Sequence, residues 1–202
     1  KYMCNKLDSF RPTHLLLGGA LLLTATACGG QKWSEVGKDS IRIVTQPGGP
    51  TLGYSATSGV QLLTVDGFAF KDLNRDGKLD PYEDWRLTPE ERSADLAAQL
   101  SVEEIAGLML YSAHQSIPGV SKGFGASTYN GKPFDESGAA PSDLSDAQRK
   151  FLVEDNVRHV LVTRVQSPEV AARWNNNVQA LVEGIGHGIP ANNSSDPRHG
   201  TQ

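Results

Sequence analysis

The stretch from Asp72 to Glu83 gathers hard oxygen ligands at a regular spacing: Asp72, Asn74, Asp76, Asp80 and Glu83, with Gly77 between them. It satisfies the calcium-loop pattern D-x-[DN]-x-[DN]-G-x5-E at every specified position. Calcium takes about six to eight oxygen ligands. Here they would come from the Asp72, Asn74 and Asp76 side chains, the Lys78 carbonyl, Asp80 through a water, and both oxygens of Glu83. Gly77 permits the sharp turn. Two readings fit the pattern: a structural calcium site, or an acidic turn that needs no metal. The residues before Asp72, 64–70, read as extended, so this is at most half of a helix–loop–helix, and a lone loop points to structure rather than sensing. A second candidate site lies at the far end, in Asp196-Pro197-Arg198-His199-Gly200. A carboxylate there can accept hydrogen bonds from two adjacent hydroxyls, which suits sugar recognition, with Arg198 and His199 as donors. Alternatively Asp196 caps a following helix and Arg198 pairs with a surface carboxylate.

The elements around these sites follow from caps and periodicity. Thr88-Pro89-Glu90-Glu91 and Ser101-Val102-Glu103-Glu104 are capping boxes that open two short helices, the second running through Met109 and Leu110. Ser145-Asp146-Ala147-Gln148 opens another, to about Asn156. Residues 159–165, His-Val-Leu-Val-Thr-Arg-Val, read as a buried strand. Ser167-Pro168 then opens a helix with Val170, Trp174, Val178 and Leu181 on one face, ended by Gly184 and Gly186, and Ile189-Pro190-Ala191 begins a further strand. This strand–helix–strand unit predicts parallel strands with a right-handed crossover. Ligands sit at the carboxyl ends of such strands, which is where Asp196 stands. Residues 112–142, rich in Gly, Ser and Pro, read as a long loop that lines a site or covers a sheet end. Residues 29–59 read as a tether with one strand at 40–45, and 62–70 as another short strand.

With 202 residues the chain is shorter than the roughly 250 of a complete eight-stranded α/β barrel. Its net charge of −4, with no basic block, argues against nucleic acid as the main partner. Lys1, Lys6 and Arg11 precede an apolar run, residues 15–23, and the small residues Ala25-Thr26-Ala27 precede Cys28. That layout is a targeting segment, and its apolar run is too short to span a bilayer. It resembles a bacterial lipoprotein signal, which implies lipidation of Cys28 and attachment to a membrane; an ordinary secretory signal cleaved near Ala27 is the other reading. Cys4 leaves with the signal, so no internal disulfide and no cysteine metal site are expected.

Residues 72–86, the Thr88-Pro-Glu-Glu-Arg helix and Ser101-Val-Glu-Glu-Ile-Ala-Gly-Leu-Met109 together resemble the N-terminal part of family 3 glycoside hydrolases, of the exported bacterial β-glucosidase and β-xylosidase type. Gly188-Ile-Pro through Asp196-Pro-Arg-His-Gly200 is similar to that family's second-strand signature, Ile-Pro followed by Asp-x-x-His-Gly. The resemblance runs from about Asp66 to the C-terminus, with low similarity over 112–142. It implies an α/β fold, the beginning of a (β/α)8 TIM-like barrel that is incomplete in this chain and preceded by an extended N-terminal region. Its segments would be a lipoprotein-type signal over 1–28, a tether over 29–65, an EF-hand-like calcium loop over 66–87 and the front of the barrel over 88–202.

The resemblance also implies a retaining β-glycosidase releasing terminal β-linked glucose or xylose from oligosaccharides in the periplasm or at the outer membrane. One carboxylate would attack the anomeric carbon while a second, about 5 Å away, protonates the leaving oxygen. Asp196 matches the residue that binds sugar hydroxyls, with Arg198 and His199 as its neighbours in substrate binding. The family's nucleophile and acid/base match no residue of this chain, so no catalytic residue is assigned and the chain by itself is expected to be inactive. Asp80, Glu83 and Asp84 belong to the calcium pattern and to a loop far from Asp196, and are not a catalytic pair. The alternative is a non-enzymatic envelope lipoprotein that binds calcium or glycan.

Overall fold

A computed structural model describes residues 30–123 and 125–195. The helix starts follow their caps. Helix α1 (Pro89–Gln99) begins at Thr88, α2 (Val102–Leu108) at Ser101 and α4 (Asp146–Val153) at Ser145, each with a reciprocal capping box. Each such cap contributes about 1 kcal/mol by satisfying backbone donors that a helix leaves open. Between α2 and α4 lies the four-residue turn α3 (Phe134–Ser137), and α5 (Pro168–Glu183) starts from the Ser167 hydroxyl, which accepts from Val170 N at 3.2 Å.

Three small sheets accompany the helices. Strands β1 (Ser34–Lys38), β2 (Ile41–Thr45) and β3 (Leu52–Ser55) form an antiparallel sheet with β2 central. The reading of this segment as a tether with one strand is corrected: β2 is there, but it has a partner on each side. Strand β1 is exposed along its whole length, so no apolar alternation marks it. It exists because β2 pairs its backbone from Ser34↔Thr45 to Lys38↔Ile41. The single strand expected over 62–70 is instead a hairpin of β4 (Gln61–Val65) and β5 (Phe68–Asp72). Its turn is Asp66-Gly67, both at positive φ (55° and 85°), the backbone that a two-residue hairpin loop needs.

The third sheet is parallel, in the order β6 (Gln115–Ile117), β7 (His159–Val165), β8 (Asn192–Ser195). Strands β7 and β8 pair from His159↔Asn192 to Val162↔Ser195, with α5 as their crossover. The predicted strand–helix–strand unit is therefore present, and β6 adds a strand inside the stretch expected to be one long loop. The class is α/β, and the described residues build a three-stranded parallel sheet rather than a closed barrel. Among them no helix is long and apolar enough to cross a membrane.

One apolar core lies between this sheet and α4 and α5. Ile117, Leu144, Leu152, Val160, Trp174, Val178, Val182 and Ala191 are its buried members. Val170, Trp174, Val178 and Val182 recur every fourth residue, so one stripe of α5 covers the sheet. Inside it the Gln148 carbonyl oxygen accepts from Trp174 Nε1 (3.0 Å) and Ser145 N (3.1 Å), while Gln148 Nε2 donates to Gln115 Oε1 (3.3 Å). Arg158 is buried at the amino end of β7. Its guanidinium donates to the carbonyls of Leu152, Val157 and Ile189, and burial lowers its pKa from the ordinary value.

Candidate functional site at the carboxyl ends of the parallel strands

The parallel strands end at Ile117, Val165 and Ser195. Two clefts open there. One, of about 430 Å³, is lined by Gly119, Phe134, Asp135, Arg164 and Gln166 around Ile117. The other, of about 270 Å³, is lined by Val162, Trp174, Asn175, Asn193 and Ser195. In the second, Asn193 Nδ2 donates to Asn175 Oδ1 at 2.6 Å, and Asn193 Oδ1 is buried with no hydrogen-bond partner. A buried acceptor left open costs on the order of 1–3 kcal/mol, and this one is closed off from solvent, so a ligand would reach it only if the Asn193 side chain moved. Neither Asn was singled out from the sequence; Asn175 lies one residue from the apolar stripe of α5 and Asn193 within a polar four-residue strand, patterns that carry no chemical signature.

On the opposite face of the sheet, His114 Nδ1 lies 2.8 Å from Thr163 Oγ1 and the His159 ring packs beside Tyr111 at 5.2 Å between centroids. Asp196, Arg198 and His199 lie outside the described residues, as does Cys28. Asp196 is the residue that follows Ser195, the last residue of β8.

The acidic loop is described in full. Asp72 and Glu83, its first and last ligand positions, are 3% and 4% exposed. Asp72 accepts from Asp76 N (3.1 Å) and Gly77 N (3.0 Å), and Asn74 Oδ1 also accepts from Asp76 N (3.1 Å). Glu83 Oε1 accepts from Leu73 N (2.6 Å) and Asn74 N (3.3 Å), while its Oε2 accepts from Asp80 N (3.1 Å). Asp80 takes the Asn74 side-chain amide (2.7 Å), and Asp76 takes Lys78 N (2.8 Å). Arg75 and Gly77 adopt positive φ (64° and 78°), which winds the loop tightly around Asp72. Burial raises the Glu83 pKa against these hydrogen bonds. Among the described residues no three acidic, His or Cys side chains converge as metal ligands. As closed, the loop meets its own hydrogen-bonding needs, and Glu83 could offer both oxygens to an ion only by giving up its N–H donors. Asp84 pairs with Arg86 (2.7 Å), whose hydrogen bonds hold its pKa below the usual carboxylate value.

No protein-family model matches the chain. The chain is 40% identical over 148 residues to a protein of Dickeya chrysanthemi named "Periplasmic beta-glucosidase/beta-xylosidase". The match takes in 72% of this chain and 20% of that protein, so the chain spans about a fifth of the length of the curated relative it matches. This similarity bears out the resemblance drawn from the motifs.

Proposed function

From its likeness to the exported β-glucosidase and β-xylosidase type of family 3 glycoside hydrolase, we propose that this chain is the leading part of a retaining β-glycosidase that removes terminal glucose or xylose from β-linked oligosaccharides. The observation that carries the reading is the 40% identity, joined to a parallel strand–helix–strand whose second strand runs straight into Asp196-Pro-Arg-His. On this reading β6, β7 and β8 are the opening strands of a (β/α)8 barrel, and substrate lies across their carboxyl ends. Asp196 accepts hydrogen bonds from sugar hydroxyls, with Arg198 and His199 beside it. The attacking carboxylate and the acid/base come from later parts of the same polypeptide, so residues 1–202 alone do not turn over substrate. The protein is exported and held at the membrane by lipid on Cys28, and Cys28→Ser is expected to release it into the soluble periplasm on fractionation.

The test is the reading frame 3′ of the Gln202 codon, expressed and assayed on aryl β-glucosides and β-xylosides. Further strand–helix units, an Asp nucleophile and hydrolysis of either substrate are expected. A stop codon at that point overturns the enzyme reading and favours a calcium- or glycan-binding lipoprotein.

The acidic loop is proposed as a structural calcium site formed by Asp72, Asn74, Asp76, the Lys78 carbonyl, Asp80 and Glu83. What supports this is the ligand spacing together with the burial of the carboxylates at both ends of one tightly wound loop. Calorimetric titration is expected to show one site that Asp72→Ala abolishes, and the absence of heat at millimolar calcium removes it.

A further inference from the structure

The outer face of α5, opposite its apolar stripe, borders a cleft of about 430 Å³ shared with the first sheet and β5. Small-molecule sites are commonly about 300–1,000 Å³. Ile41, Leu73 and Pro190 give it apolar walls. Its charges are Lys71, Glu183 and Arg92. Glu183 is already answered: Oε1 accepts from Lys71 Nζ at 2.7 Å and Oε2 from Ser55 N at 3.0 Å. Lys71 has a third proton left after also donating to Gly53 O (3.2 Å). Arg92 is different. Its Nε donates to the Tyr82 carbonyl (2.9 Å), and its two terminal nitrogens make no hydrogen bond or salt bridge among the described residues.

Arg92 stands at a junction, because a second cleft of about 270 Å³ shares Leu73, Arg92, Gly188 and Pro190 with the first. The second is also lined by His187, whose Nδ1 is buried with no hydrogen-bond partner. Among the described residues the joined space thus carries the open guanidinium fork of Arg92, the unbonded amide of Asn176 and the spare Lys71 proton, set among apolar walls, with the Asp84 carboxylate within electrostatic reach of Arg92.

We propose that this joined cleft is a binding site for a small sugar carboxylate of the hexuronate class, with Arg92 taking the carboxylate. A guanidinium offers a planar fork that matches a carboxylate with two parallel hydrogen bonds. With the Asp84 carboxylate within electrostatic reach of Arg92, the site suits a single negative charge better than a phosphate dianion. Asn176 and Lys71 are polar partners for ring hydroxyls, and a fatty acid would leave them unanswered. The apolar walls take the C–H faces of the ring. The Tyr54 hydroxyl, also in the wall, is committed to Glu35 at 2.7 Å, and burial and that carboxylate push its pKa up to about 12.

The inference does not depend on the glycosidase reading, since the cleft is on the outer face of α5 and its readout is binding, not turnover. Sodium glucuronate, glucose, benzoate and inorganic phosphate are titrated separately into the protein by calorimetry. Saturable glucuronate binding that weakens with salt is expected, with glucose at least about tenfold weaker for want of the charged pair. Arg92→Gln should lose about tenfold or more, and Arg92→Lys should fall between, because it keeps the charge without the fork. Circular dichroism and melting of both variants check the fold. Glucose binding as tightly as glucuronate, benzoate or phosphate matching it, or no glucuronate binding to the folded protein, each overturns the proposal.

Discussion

Under the parallel sheet, eight buried side chains form one contiguous apolar cluster, and the largest of them, Trp174, sits on a helix whose face repeats every fourth residue. The N-terminal sheets are joined otherwise. There the Gln46 side-chain amide behaves as a piece of strand, accepting from Ala69 N (2.8 Å) and donating to Ala69 O (3.3 Å). Trp85 stacks on Phe70 at 5.1 Å and donates its Nε1 proton to Ala69 O as well. Glu183, the last residue of α5, ties both N-terminal sheets to the helix by holding Ser55 N and Lys71. Close approach of backbones completes the joint: a Cβ at Gly184 would stand 2.6 Å from Ser58 O. One region is stabilised mainly by apolar burial around a single polar side chain, Gln148, the other mainly by directed contacts.

Trp174→Ala tests the first region. It removes the largest buried ring and one of the two hydrogen bonds to the Gln148 carbonyl, and is expected to cost about 3–5 kcal/mol in urea unfolding. Glu183→Ala tests the second. It leaves the Ser55 N–H and Lys71 without their partner, for a loss of about 1–3 kcal/mol. It should loosen residues 34–72 while the Trp174 environment, read by fluorescence, stays native. If instead both variants melt in one transition with equal losses, the two regions are a single cooperative unit and the contrast drawn above is wrong.

The smallest effect concerns the stretch between β6 and α4. Asp146 accepts from Thr128 Oγ1 (2.6 Å), Gly131 N (2.8 Å) and Asn130 N (2.9 Å), and these bonds, the Thr128 hydroxyl foremost, lower its pKa. A folded-state pKa below the unfolded one gives stability that is present above the unfolded value and lost as pH falls through the folded one. The protection factors of the Asn130 and Gly131 amides are therefore expected to hold at about pH 5 and above and to fall only as the pH drops below the ordinary range for an aspartate. Asp146→Ala should expose these amides at every pH with little change in global stability. Unchanged protection in that variant would show that this stretch is held by something other than the carboxylate.

How much of this could be read from residue order differs along the same line. The helices announce themselves through Thr88, Ser101, Ser145 and Ser167, because a cap and a stripe are local patterns. Strand β7 does so by its run of β-branched residues. Strands β1, β3 and β6 do not: they are short, and β1 has no buried face, so their conformation is decided by a neighbour rather than by their own composition. The hairpin at Asp66-Gly67 carried its turn signal in plain view, hidden by the continuous extended character on both sides. In the acidic loop the ligand spacing was legible, but not that Glu83 would turn its oxygens to Leu73 N, Asn74 N and Asp80 N. Glu183 and Gln46 had no signal, since their partners lie far along the chain.

That distance has a consequence in time. Ser55 is separated from Glu183 by 128 residues, and Lys71 by 112. Closing so long a loop is entropically slow, and contacts of this kind form late. The first sheet is made early as the chain emerges, yet its anchoring partner is synthesised only once the whole of α5 exists. The leading sheets therefore gain their fixed place against the helix only after α5 has been made.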